Sequence, residues 1–196
     1  SGALAGGTTE TVIPFLGSVA LGFFYYILAA VFIVGMVNAV NFTDGIDGLN
    51  TSVTLVVALV FSVIAMLLNR VGLSLYAAAI VGAMIGFLFW NANPAKVFMG
   101  DTGSLFLGGA VCALAFGVDM PILLILIGII YIVEILSVVL QVTYFKISHG
   151  KRIFKMAPIH HHFEMCGWNE NKICFVFSGV TLLAGIIGVL LAVFGC

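Results

Sequence analysis

Long stretches of this chain are apolar all the way round a helix, and the polar residues are gathered into short intervals between them. Charged residues are absent from Thr11 to Thr43, Thr51 to Asn69, Val71 to Ala95, Thr102 to Val118 and Ile173 to Cys196, and Met120 to Phe145 carries only Glu134. A run of about 17 to 25 such residues crosses the hydrocarbon core as a helix. The pattern predicts six spans, near residues 18–40, 50–69, 72–90, 103–118, 120–143 and 173–195, the fourth being the shortest. A barrel strand would instead alternate apolar and polar residues about ten at a time. The predicted fold class is therefore all-α, a polytopic integral membrane protein, with residues 1–196 forming a single transmembrane domain. Internal repeats, low-complexity tracts and linker-like loops are not evident.

Composition strengthens that picture. The chain is 63% hydrophobic and 8% charged, with a mean hydropathy of +1.28, whereas soluble domains are roughly one-quarter charged. Six spans place both termini on one side, so the connections near 41–49, 91–102 and 144–172 share the other. Six of the seven basic residues fall there: Lys96, Lys146, Lys151, Arg152, Lys155 and Lys172, with Arg70 opposite. That bias predicts three cytoplasmic loops. A net charge of -1 and the absence of a basic footprint give no sign of a nucleic-acid partner. Cys112, Cys166, Cys174 and Cys196 lack metal-type spacing and read as small hydrophobes. Ser1–Thr9 lacks the basic start and apolar centre of a signal peptide and reads as an external loop entered in mid-chain.

Polar groups are costly at membrane depth, so their positions carry information. A first cluster runs Asn38, Asn41, Asp44, Asp47, Asn50, polar at every third position, with Gly45 and Gly48 permitting the turns that bring the two carboxylates beside the amides. A capped helix end is the simpler reading of one Asp-Gly, but five regular polar positions favour a functional mouth. The ligand pattern of a calcium-binding EF-hand is missing. A second cluster holds Asn91, Asn93, Pro94, Lys96, Phe98, Gly100, Asp101, Gly103 and Ser104. Ser104 is predicted to cap the next helix, whose N-terminal N–H groups favour a phosphate, with a cation between that phosphate and Asp101. A helix cap with a buried Phe98 is the alternative, and the phosphate loop of nucleoside triphosphatases is absent.

The third cluster spans Lys151 to Glu164 and contains Pro158, His160, His161 and His162. Basic residues interleaved with Ile153, Phe154 and Met156 describe a segment lying among anionic head groups. The histidines suit phosphate binding or proton transfer, one of them merely holding the loop, and a zinc site from His160, His162 and Glu164 is the alternative. Finally Glu134, Ser137 and Gln141 share one helix face, which must turn toward protein or a polar cleft. Structural hydrogen bonding explains Glu134 as well as catalysis does, and Gln141, nearest the loop, is the better functional candidate.

Asn38–Asn50, Phe98–Ser104, Glu134–Gln141 and Ala157–Glu164 together resemble successive signature segments of the MraY family, the phospho-N-acetylmuramoyl-pentapeptide transferases, within the polyprenyl-phosphate N-acetylhexosamine-1-phosphate transferase superfamily. Pro158 to Glu164, reading Pro-Ile-His-His-His-Phe-Glu, is the most specific element. The resemblance implies an enzyme that transfers phospho-N-acetylmuramoyl-pentapeptide from its UDP-linked precursor to undecaprenyl phosphate, giving lipid I and UMP for peptidoglycan synthesis. It also implies Mg²⁺, a bacterial inner-membrane location with the site facing the cytoplasm, and a homodimer of ten-helix protomers. Carried over by residue, Asp101 resembles the Mg²⁺ ligand, and Asp44 a catalytic carboxylate acting either on the metal or on the lipid phosphate. Gly45, Ile46, Asp47, Asn91 and Phe98 resemble the uridine pocket, Phe98 stacking on uracil and Asp47 accepting its hydrogen bonds. Asn41, Gln141, Ala157, His160 and His161 resemble residues around the sugar and diphosphate, His160 counted with the catalytic set and His162 left as structural. The acidic pair that begins the family's active site has no match here, so this chain is expected to be a C-terminal portion, inactive without its N-terminal half. The alternatives are a related UDP-N-acetylhexosamine transferase and, in another class, an ion or metal transporter, which requires charged groups deep along a continuous path.

Overall fold

The computed structural model describes residues 10–13 and 17–195; the expected external loop at Ser1–Thr9 lies outside them. The described chain begins with a two-stranded antiparallel ribbon, β1 (Glu10–Ile13) and β2 (Gly17–Ala20), with Thr11 opposite Val19 and Val12 opposite Ser18. Eight helices follow: α1 (Phe24–Thr43), α2 (Leu49–Leu67), α3 (Val71–Asn91), α4 (Gly100–Gly117), α5 (Leu123–Ile127), α6 (Ile129–Ile147), α7 (Ile159–Glu164) and α8 (Glu170–Phe194). Among the described residues six of these, all but α5 and α7, are long and apolar enough to cross a membrane.

Two predicted boundaries are corrected. The first span starts at Phe24 rather than near residue 18, because Gly17–Ala20 pairs as a strand and Gly22, at φ 53°, turns the chain into the helix. The fifth span is not continuous from 120. It breaks at Gly128 and resumes as α6, which runs to Ile147, beyond the expected end at 143. A side chain at residue 128 would press on the Leu124 carbonyl at 2.7 Å, so glycine is what lets the two segments meet.

Helix α2 occupies the centre, packed against α3 and α8 and touching α1 and α4, while α1 packs on α4 and α6. In its apolar stretch 61% of residues are buried, against 17% in α3, although both read as membrane spans. Small residues set the helix spacing, as is usual where lipid supplies no hydrophobic drive for association. At Gly108 of α4 an added Cβ would lie 2.6 Å from the Val37 Cα of α1, so these backbones are in direct contact. The α1–α2, α3–α4 and α6–α8 connections gather at one end, because hydrogen bonds join Asp47 to Ala95 and to Glu170. At the other end the Arg70 guanidinium donates to Asp119 at 2.8 Å, and the Val12 N–H of the ribbon donates to the Asp119 carbonyl.

Candidate active site

The Asp44–Gly48 turn is held from three sides. The Asp47 N–H donates to the Glu170 carboxylate (2.9 Å), its carbonyl accepts from the Cys174 thiol (3.2 Å), and its Oδ2 accepts from the Ala95 N–H (2.8 Å) and the Asn93 amide (3.2 Å). The opposing loop is fixed by Asn91, which is buried: its Oδ1 accepts from the Thr51 hydroxyl at 2.6 Å and its Nδ2 donates to the Val97 carbonyl. Between the two lies a cavity of about 290 Å³, lined by Asn41, Asp44, Gly45, Ile46, Asp47, Asn91, Phe98, Gly100 and Asp101. All nine were singled out in the sequence, and they share one wall system. Phe98 stands at its edge with a largely exposed ring, 74% accessible.

Electrostatically the cavity is one-signed. Asp44, just past the end of α1, has its carboxyl pushed up to about 6 by burial and by the charge of Asp101, against the opposing pull of hydrogen bonds from the Asn50 side chain and the Gly100 backbone. None of the lining residues is basic. Lys96 instead lies over the Trp90 ring, 5.6 Å from its centre. Two facing carboxylates without a cationic side chain form a hard-oxygen donor set that fits a divalent cation.

Several expected roles change. Ser104 does not cap α4: the helix starts at Gly100, and the buried Ser104 hydroxyl donates to Asn41 Oδ1 at 2.5 Å, joining α4 to α1. Asn38 is exposed and its amide returns to the Val34 carbonyl, outside the cavity. Gln141 and Ala157 line a separate groove of about 430 Å³ with Val138, Val142, Phe145, Lys146, Arg152 and Met156. The Gln141 side-chain oxygen there accepts from the Ile153 and Phe154 N–H groups, so it anchors the loop.

The histidines separate as well. His160 is fully buried, with Nδ1 3.0 Å from Glu134 Oε2, and the Nε2 edge of its ring lies against Gly45 rather than on the cavity wall. His161 pairs with Glu164 through Nδ1, and its ring lies tilted against that of His160, ring centres 4.1 Å apart. His162 Nδ1 accepts from the Lys155 N–H, which is the loop-holding part expected of one histidine. Glu164 is thus engaged by His161, not grouped with His160 and His162 as a zinc site requires. Sequence reasoning missed Glu170, Cys174 and Thr51. Their signal was weak: each is an ordinary residue in the first turns of a helix, and its partner lies far away in sequence.

The model for glycosyl transferase family 4 matches residues 2–119, which include the whole cavity. The chain belongs to that family. Similar relatives include proteins named phospho-N-acetylmuramoyl-pentapeptide-transferase. That of Clostridium botulinum (strain Eklund 17B / Type B) is 52% identical over 181 residues, covering 92% of this chain and 56% of the relative. That of Clostridium perfringens (strain SM101 / Type A) is 54% identical over 176 residues, covering 89% and 54%. That of Listeria monocytogenes serotype 4b (strain CLIP80459) is 48% identical over 190 residues, covering 96% and 59%. The chain spans a little over half the length of these relatives of glycosyl transferase family 4.

Proposed function

We propose that this chain supplies the C-terminal half of a phospho-N-acetylmuramoyl-pentapeptide transferase of the bacterial inner membrane, with the cavity facing the cytoplasm. The observation that carries the reading is the meeting of Asp44 and Asp47, from the α1–α2 turn, with Asp101, from the first turn of α4, in one cavity edged by Phe98. Identity near one-half to transferases of that name, over about nine-tenths of the chain, supports it.

The reaction joins two anions. A phosphate oxygen of undecaprenyl phosphate attacks the sugar-bearing phosphorus of UDP-N-acetylmuramoyl-pentapeptide; the bond to the bridging oxygen breaks, and that oxygen leaves with UMP. The nucleophile is already an anion, so the protein's task is to position and neutralise. Asp101, with Asp44, would hold Mg²⁺, which supplies the positive charge the diphosphate and the leaving UMP require. Phe98 offers a face for uracil, and Asp47, whose Oδ2 is held by Ala95 and Asn93, presents its other oxygen to the base. Asn41 is fixed by Ser104 at the sugar side. The groove that places Lys146 and Arg152 beside Val138, Val142 and Phe145 combines cations with an apolar wall, the chemistry that a lipid phosphate needs. The residues 1–196 form one transmembrane domain that pairs with the N-terminal half, in a homodimer of ten-helix protomers.

The test is turnover by the enzyme assembled from this chain and its N-terminal half. With UDP-N-acetylmuramoyl-pentapeptide and undecaprenyl phosphate it releases UMP and forms lipid I, and it rejects UDP-N-acetylglucosamine. The isolated 196-residue chain releases none. Preference for UDP-N-acetylglucosamine, or ion flux in proteoliposomes without any glycolipid product, overturns the reading.

A further inference from the structure

Asp44 and Gly45 are each tied to helix α6 by a buried polar contact that the reaction outlined above does not use. The first runs through α2. Tyr131, Thr54 and Asn50 are all buried, with Tyr131 Oη 2.7 Å from Thr54 Oγ1 and Thr54 Oγ1 donating to Asn50 Oδ1 at 3.1 Å. The threonine has one proton and gives it to Asn50, so the tyrosine must donate to the threonine. The Asn50 amide nitrogen donates to Met99 Sδ at 3.4 Å, and the Asn50 side chain also favours the charged form of the Asp44 carboxyl against the effect of its burial. The Tyr131 and Thr54 donors both point toward Asn50, the arrangement in which successive bonds strengthen one another.

The second contact runs through α7. Glu134 and His160 are both wholly buried, and Glu134 Oε2 meets His160 Nδ1 at 3.0 Å. His160 Nε2 has no hydrogen-bond partner among the described residues and lies where a side chain on Gly45 would have to go, 2.3 Å from an ideal Cβ. The imidazole is therefore the floor on which the Gly45 backbone rests. Tyr131 and Glu134 stand three residues apart, on one face of the same helix.

We propose that Tyr131 and Glu134 are positioning residues, which act through Thr54–Asn50 and through His160 to set the orientation of the Asp44–Gly45 dipeptide at the reacting centre. Neither side chain touches the cavity, so both act on the geometry of the carboxylate and not on substrate affinity. The inference rests on the assignment of Asp44 to that centre.

The experiment compares Tyr131→Phe, Glu134→Gln, Glu134→Leu and Asp44→Asn in the assembled enzyme, each checked for folding by thermal unfolding in detergent. Tyr131→Phe, which changes only the hydroxyl, lowers kcat roughly tenfold and leaves KM within about twofold of the parent. Glu134→Leu does the same or more, and Glu134→Gln, which keeps an acceptor for the imidazole N–H, restores most of the rate. Full activity in both Tyr131→Phe and Glu134→Leu, with Asp44→Asn inactive, overturns the proposal alone. So does a rise in KM at constant kcat, or a Gln variant as slow as the Leu variant. Full activity in Asp44→Asn removes the assignment of Asp44, and the proposal with it.

Discussion

The two ends of the bundle handle their acidic residues differently. At the ribbon end, Asp119 accepts from Arg70 at 2.8 Å, both side chains partly in solvent, and the contact ties the α2–α3 turn to the end of α4. At the cavity end, Asp44 and Asp101 line one cavity with no cation among the lining residues, and burial, with the charge of Asp101 adding to it, pushes the Asp44 carboxyl up to about 6. The first is a satisfied surface pair, the second a pair of acids with no counter-charge from the residues around it. A pair that is already complete has no use for a ligand, whereas two confronted carboxylates gain from any cation that arrives with a diphosphate.

That contrast is sharpest under substitution. Asp101→Asn removes the charge of the proposed ligand without changing its shape, and turnover of the assembled enzyme falls about 100-fold or more with folding retained. Near-normal UMP release would take Asp101 out of the site. Gly45→Ala comes next. Its Cβ collides with His160, so the turn or the imidazole must move, costing about 1 to 3 kcal/mol of stability and roughly tenfold or more in kcat. Unfolding temperature and kcat measured together check it; an unchanged pair of values would mean that the contact is loose.

A smaller effect is expected from pH. A buried carboxyl raised to about 6 ionises later in the folded than in the unfolded chain, so its contribution to stability is present below about 4 and is lost as pH rises through about 6. The metal-free enzyme should lose thermal stability across that window, and a divalent cation should restore more of it above pH 6 than below, since only the carboxylate binds metal. Equal metal stabilisation at pH 5 and pH 7 would contradict this. Least of all, Arg70→Ala should cost under about 1 kcal/mol and leave kcat unchanged, as exposed pairs do. A marked loss of turnover there would erase the distinction between the two ends.

Much of this was legible in the sequence. Uniformly apolar runs fixed the number of spans, and the regular Asn41–Asp44–Asp47 spacing with Asp101 and Phe98 located the cavity, because polar groups in an apolar chain have few reasons to be there. The breaks were harder. Gly128 splits a run that hydropathy joins, and Gly17–Ala20 pairs as a strand in what reads as a span, because both depend on backbone conformation. Burial was also hidden, since α2 and α3 read alike although only α2 is enclosed. The site's supports were the least visible. Glu170 and Asp47 lie 123 residues apart, and nothing at either position announces the other. Ser104 was recognised as polar and given the wrong partner, because spacing reports which face a residue occupies and not what faces it.

The central claim is that Asp101, with Asp44, completes a divalent-cation site at the cavity end. Electron paramagnetic resonance of Mn²⁺ added to the assembled enzyme tests it directly, by counting bound against free ion in the parent, Asp101→Asn and Arg70→Ala. Bound manganese in the parent and Arg70→Ala, lost in Asp101→Asn, is the predicted result; equal binding in all three would contradict it.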